Sequence, residues 1–457
     1  MTPGANDLCV FAVKRGDIER KRADVLGTYS SIVYDSAYLF PSQKLGHIVS
    51  TYSGGTPSKK DNEASSYWGG AIPWVSPKDF RSFYLYDSED HITEKAIKDS
   101  ATQKVAPDSV LVVVRSGILK HTLPVAINKV EVTINQDIKV LVPSDSVLPD
   151  YLGFYLKVFE KKILGLCVKQ STTVQSVNTR EFLSIDIPVP PISTQKQLVE
   201  RLKVKLQERN QKLEEANRLL ENMDCFIHST LAIKDISFNS SIICAVRVSD
   251  LYENGTFSAE YYHSERMAAI NAIKASGLVK KLSEIVTFYR EIVDSSKSSD
   301  AYLGLAGVES QTGELSGVVE DSAGQAFAYD KDDVLYGRLR PYLNKVLFAE
   351  QSGICSTEFH VMRVKNENEV LPEYIAAILR SNLILSQTKH MMTGNTHPRI
   401  SNDDVKNLFI PVPDITVQKE IVEELHGRRQ KARRLRIEAE QAWQAAKLQF
   451  EKELLGD

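Results

Sequence analysis

Pro149-Asp150 followed by Glu160-Lys161-Lys162 satisfies, as bare spacing, the acidic pattern with which nucleases hold a divalent metal. Such a site needs its carboxylates on adjacent strands, where both reach one ion; the apolar spacing here places both in or beside one helix. The matching stretch further along, Pro372-Glu373, has no Glu-x-Lys after it. No GxxxxGKS or GxxxxGKT loop offers amides to nucleotide phosphates, and no HExxH, NPPY-like or DPPF-like motif occurs. The nine histidines show no metal-ligand spacing. What remains is cationic. Arg115-Ser116 closes an apolar run, with Lys120 and His121 just beyond, and Arg338, Arg340 and Lys345 occupy the corresponding place later in the chain. The loop Gly54-Gly55-Thr56-Pro57-Ser58 leads into Lys59 and Lys60, lysines able to meet phosphate beside glycines that free backbone amides. Arginine can fork onto a phosphate or a guanine edge, whereas lysine supplies mostly phosphate charge. An internal salt bridge competes with each arginine reading, and a solvated hairpin with the loop.

The elements that must carry these residues occur twice. Ile187 to Lys196 reads IPVPPISTQK and Ile410 to Lys419 reads IPVPDITVQK, 223 residues later, and the same offset joins Leu148-Pro149-Asp150-Tyr151 to Leu371-Pro372-Glu373-Tyr374. Weaker matches pair Ala12-Val13-Lys14 with Ala245-Val246-Arg247, and Lys44 to Val49 with Lys281 to Val286. One offset shared by separate matches marks a duplicated domain rather than a short-period solenoid. Each proline motif opens a long stretch of helical spacing. In the first the apolar or small positions include Leu198, Leu202, Leu213, Ala216, Leu220, Met223 and Ile227; in the second they are Ile421, Leu425, Ala432, Leu435, Ala439, Ala442 and Ala446. These heptad-like seams suit mutual packing, with Ser193 or Thr194, and Asp414 or Thr416, as helix caps. Upstream, Val110 to Val114, Thr133-Ile134, Ile138 to Val142, Val334 to Tyr336 and Phe359 to Val364 read as strands, and Tyr151 to Lys162 and Tyr374 to Leu385 as short helices. The expected fold is α+β, with domains at 1–190 and 236–413 and long helices at 191–235 and 414–457.

With 42% hydrophobic and 25% charged residues, the composition is that of globular protein, and a net charge of −3 neither indicates nor excludes a polyanionic partner. No basic leader with a long apolar run and no stretch near 20 apolar residues appears, so a cytoplasmic chain without membrane contact is expected. Five scattered cysteines, Cys9, Cys167, Cys225, Cys244 and Cys355, never form a CxxC pair and are expected to be reduced.

The doubled proline motif with a glutamine-lysine pair opening each long helix resembles the specificity subunits of Type I restriction-modification enzymes. Gly54 to Ser58 followed by Tyr67 to Asp79, which includes Lys78, is similar to an opening of their target-recognition domains, as is Asp333 to Lys345 with Tyr342 in the second copy. The resemblance implies two target-recognition domains in an internal pseudo-twofold repeat, and helices packed as an antiparallel coiled-coil spacer. It implies a non-catalytic subunit on double-stranded DNA, with two modification (methyltransferase) subunits and restriction (translocase-nuclease) subunits as partners. No cofactor is then expected here: S-adenosylmethionine belongs to the methyltransferase, ATP and magnesium to the restriction subunit. A helix of about 30 residues rises roughly 45 Å, on the order of 13 base pairs at about 3.4 Å each. Half-sites about one helical turn apart, each read by one domain, would form an asymmetric, interrupted target.

On that reading the DNA contacts are expected among Lys59, Lys60, Lys78, Arg115, Ser116, Lys120, His121, Arg338, Arg340, Tyr342 and Lys345. A second strip precedes each proline motif: Thr172, Thr173 and Gln175 in copy one, Asn395, Thr396, His397 and Arg399 in copy two. A plain turn between domain and helix competes with it. Tyr67, Trp68 and Trp74 could touch DNA, with core or loop packing the commoner role of such aromatics, and the run Arg428 to Arg436 is placed in a solvated face, on DNA or on a partner. A coiled-coil scaffold whose domains bind protein remains the alternative, separable by the steep salt dependence of DNA contacts.

Overall fold

The computed structural model describes residues 38–59, 66–169, 174–234, 246–254, 256–298, 300–318, 320, 324–394 and 396–455. The Ala12 to Lys14 match, Ala245, Cys9 and Cys244 lie outside them. The chain divides into two compact units, residues 1–210 with 439–457, and residues 211–438. Each therefore contains a strand-rich domain together with part of each long helix, a division inside the helices rather than at their ends.

In the first unit the run Val110–Val113 is apolar at every position because both its faces are covered. Val110 and Val112 join a core with Leu152, Phe154 and Tyr151 of the helix Pro149–Val158, whereas Leu111 and Val113 join Val75, Val105, Val132 and Ile134. This two-residue alternation is the pleat of a strand between two layers. Its sheet runs Val49–Ser53, Ile138–Pro143, Val110–Val113, Val125–Asn128, Tyr84–Leu85, and a four-stranded sheet containing Trp68–Val75 and Val132–Ile134 packs on it. The second unit repeats the scheme. Val334–Gly337 lies between Phe359–Val364 and Val346–Phe348; Val334 and Tyr336 face the helix Pro372–Leu379, and Leu335 faces Cys355 and Phe327 of another sheet.

The proline motif closes each domain in the same way. Asp186–Pro188 pairs antiparallel with Ser42–Lys44, and Phe409–Pro411 with Val279–Lys281. The first long helix runs Ile192–Glu221, breaks at Asn222 and resumes as Met223–Thr230; the second, Ile415–Leu455, is unbroken. Starting at Ile192 puts Pro191 at the cap position, so Ser193 and Thr194 lie inside the helix, while Asp414 does precede the second. In the first unit Arg201 pairs with Glu453 and Arg209 with Glu440; in the second Lys212 pairs with Glu438, Glu215 with Lys431, and the Asn222 carbonyl accepts from Arg428. One partner's number falls as the other's rises, so within each unit the helices run antiparallel. Their seam holds Leu198, Leu202, Trp443, Phe450 and Leu454 in the first unit, and Ala216, Ala432 and Leu435 in the second. No helix among the described residues is long and apolar enough to cross a membrane.

Candidate nucleic-acid interface

Arg115 and Ser116 form a two-residue strand just past the buried Val110–Val113, and this strand pairs with Gln175–Val177, Ser116 opposite Gln175 and Arg115 opposite Ser176. The two strips that the sequence set 60 residues apart thus lie side by side at the edge of the domain. Ser116 Oγ accepts from the Ile118 amide and starts a 3-10 turn over Gly117–Lys120. The turn buries Leu119 and leaves Lys120 and His121 exposed. Arg115, Lys120 and His121 have no side-chain bond partner among the described residues, so their donors are available to an incoming acceptor. Gln175 is buried beside Ser116 and orders the strand rather than reaching outward.

The second unit builds the same junction with more internal bonding. Leu339 bridges Arg399, the Ile400 amide donates to the Arg338 carbonyl at 3.0 Å, and the Arg340 amide to Pro398 O at 2.7 Å. Arg340 adopts φ +50°, a left-handed conformation uncommon for a residue other than glycine and accompanied here by its backbone bond. Arg399 forks onto Glu358, with Nη2 to Oε1 at 2.6 Å, which raises its already high pKa; Arg338 Nε lies 4.0 Å from the same carboxylate. Lys345 donates to Leu305 O at 2.7 Å. Arg340 reaches only Thr396 O, at 3.5 Å; Tyr342 is 44% exposed, and the Thr396 and His397 side chains are exposed.

Other candidates have structural work. Lys78 bridges Asp90 at 2.9 Å and Glu89 at 3.1 Å, and those hydrogen bonds raise its pKa. Lys59 sits over the Trp68 ring, 4.6 Å from its centroid. The Gly54-Gly55 pair permits close packing: a Cβ on Gly54 would stand 1.9 Å from Ile134 O, and the Gly55 amide already donates to that oxygen. The Gly55 amide is therefore not free for phosphate. Trp74 is buried, its indole N–H on Gly55 O, and packs edge-on to Trp68. Asp150 accepts from Tyr84 Oη at 2.6 Å and pairs with Lys203, while Glu160, in a following helix Glu160–Cys167, takes Thr122 Oγ1 and Lys157. Lys60, Thr172, Thr173 and Asn395 lie outside the described residues.

Residues 41–218 and 311–430 match the family model described as Type I restriction modification DNA specificity domain. The matched segments cover well over half of the chain. The chain belongs to that family. It is 40% identical over 158 residues to the specificity subunit of the Type I restriction enzyme EcoR124I/EcoR124II of Escherichia coli, and 33% identical over 162 residues to the MjaIX specificity subunit of Methanocaldococcus jannaschii. These alignments cover 35% and 34% of this chain, and the chain spans only 39% and 35% of the relatives' own lengths. Among solved structures, the S subunit of a Type-I restriction-modification system from M. genitalium gives a TM-score of 0.47 at 13% identity, over 92% of this chain and 97% of that one.

Within the Type I specificity family frame, two residues that sequence reasoning noticed only as letters of a motif turn out to hold each domain on its helix. Gln195 accepts from the Leu148 amide at 2.9 Å and donates to Ser146 O and Pro190 O. Gln418 does the same with Leu371, Glu369 and Pro413, at distances matching to 0.1 Å. Tyr151 Oη donates to Pro188 O and Tyr374 Oη to Pro411 O, both at 2.7 Å. All four side chains are fully buried. Their signal was present in the exact 223-residue recurrence of glutamine and tyrosine.

Proposed function

We propose that this chain is the sequence-specific DNA-binding specificity subunit of a Type I restriction-modification enzyme, each globular domain reading one half of an asymmetric bipartite target. The observation that carries this reading is the contrast between invariant frame and divergent edge. The Tyr-Pro and Gln-Pro bonds are the same in both units, yet the strand edge they support presents Arg115, Lys120 and His121 in one and Arg340 and Tyr342 in the other. Arg115 and Arg340 are the residues suited to base edges or phosphate, and Lys120 and His121 to phosphate. Lys78, Lys345 and Arg399 act as supports for those loops.

The long helices serve as a spacer and as the seat of partner subunits: two modification subunits, and restriction subunits where the system has them. An apolar groove of about 510 Å³ along the first unit's helix pair, lined by Leu202, Val204, Ala446 and Phe450, fits a partner helix. The chemistry, with S-adenosylmethionine, ATP and magnesium, resides in those partners, and this chain works in the cytoplasm without catalysis of its own. Selection from a random duplex library by the full chain with its methyltransferase tests the proposal. A split motif with two different halves supports it; retention of DNA without any enriched sequence returns the chain to the coiled-coil scaffold reading.

A further inference from the structure

The second unit contains a cavity of about 640 Å³ between its domain and the helix Ile415–Leu455, within the size range of small-molecule sites, roughly 300–1,000 Å³. Arg380 and Arg429 line it, and Arg433 joins them. Arg380 is only 9% exposed, and its one side-chain bond is from Nη1 to Val346 O at 2.8 Å. The Nε atoms of Arg380 and Arg429 are sealed from solvent and have no hydrogen-bond partner among the described residues. A buried guanidinium with an unbonded donor is costly, and a second one near enough to repel it adds to that cost. Burial and the like charge of Arg429 depress the Arg380 pKa strongly, and the charge of Glu314 reaches both arginines. Glu350 and Glu373 also line the cavity.

The duplication shows what is missing from this environment. At the 223-residue offset Arg380 corresponds to Lys157. In the first unit Lys157 is neutralised by Glu160, 3.2 Å away, which also lies 3.9 Å from Lys447. The position corresponding to Glu160 is Leu383, fully buried. One copy thus carries its own anion beside the half-buried lysine, whereas the other has a leucine there and a second arginine where the first copy has Leu206.

We propose that this cavity binds a small phosphate-type oxyanion, held by Arg380 and Arg429 in place of the carboxylate that Glu160 supplies in the first unit. The apolar wall of Tyr329, Leu347 and Phe348 leaves room for an uncharged body attached to the phosphate.

The full chain is titrated with sodium phosphate and, separately, with adenosine monophosphate, against sodium chloride at equal ionic strength, following melting temperature and heats of binding. Saturable stabilisation by phosphate is expected, since a ligand of the folded state raises stability with concentration over its dissociation constant. Equal affinity for the two ligands identifies a free-anion site, and tighter binding of the nucleotide a phosphomonoester site. Arg429→Gln should weaken binding about tenfold or more, the value of a charge-assisted hydrogen bond. Arg433→Gln, which removes the third arginine lining the cavity, should weaken it as well. Stabilisation no greater than that by chloride, or binding unchanged in Arg429→Gln, would overturn the proposal.

Discussion

Gln195 and Gln418 each satisfy one backbone amide and two carbonyls inside the protein, so removing either leaves three buried polar groups unpaired. An orphaned buried donor or acceptor costs about 1–3 kcal/mol, and Gln418→Ala should lower stability in urea by on the order of 3 kcal/mol. On the exposed edge the expectation reverses. Arg115→Ala and Lys120→Ala should leave stability unchanged and each reduce the slope of log affinity against log salt by about one, as loss of a phosphate contact does. Lys78→Ala should barely alter that slope, because Lys78 is already paired with Asp90 and Glu89. His360 provides a pH test. Burial, then the charge of Arg338, lower its pKa to about 4 from an ordinary value near 6.5. The unfolded chain takes up that proton first as pH falls, so this contribution to stability is complete above about 6.5 and is lost progressively down to about 4. Unfolding of wild type and His360→Asn across that window should show a steeper acid loss in the wild type; parallel curves would refute it. Which cations are free was not legible in the sequence, because their neutralising partners are remote: Glu358 lies 41 residues from Arg399.

Among the elements, the strands were readable because runs such as Val110–Val113 and Phe359–Val364 are rich in β-branched and aromatic residues and bounded by turn residues. The starts of the long helices were readable from the prolines before them. The break at Asn222 was not, since neither proline nor glycine marks it, and Trp443 and Phe450 escaped a heptad pattern built on alanines. Trp443 packs on Phe154, ring centroids 6.4 Å apart, and ties the returning helix to the first domain. Trp443→Ala should therefore cost about 3–5 kcal/mol, whereas breaking the exposed Arg201–Glu453 pair should cost about 1 kcal/mol or less. Glycines divide in the same way. Gly54→Ala collides with the Ile134 backbone and should destabilise by about 2 kcal/mol, while Gly117→Ala, with open space around its Cβ, should stay within about 0.5 kcal/mol. Denaturant midpoints of the four variants check both contrasts.

Taken whole, the molecule is one frame used twice. The buried tyrosines, glutamines and closing strand pairs recur in both units, whereas the strand edges differ in charge and in how tightly they are bonded. On the proposed reading, duplication followed by divergence at the edges would let one chain read two unlike half-sites from a shared frame. The central claim is that each domain alone sets one half of the target. It is tested most directly by methylation-sensitive sequencing of DNA from cells expressing the chain and its methyltransferase, with residues 236–404 either native or exchanged for the matching domain of a relative. The account predicts an adenine-methylated split motif in which the exchange alters one half and leaves the other intact. A motif that changes in both halves, or methylation indifferent to the exchange, would contradict it.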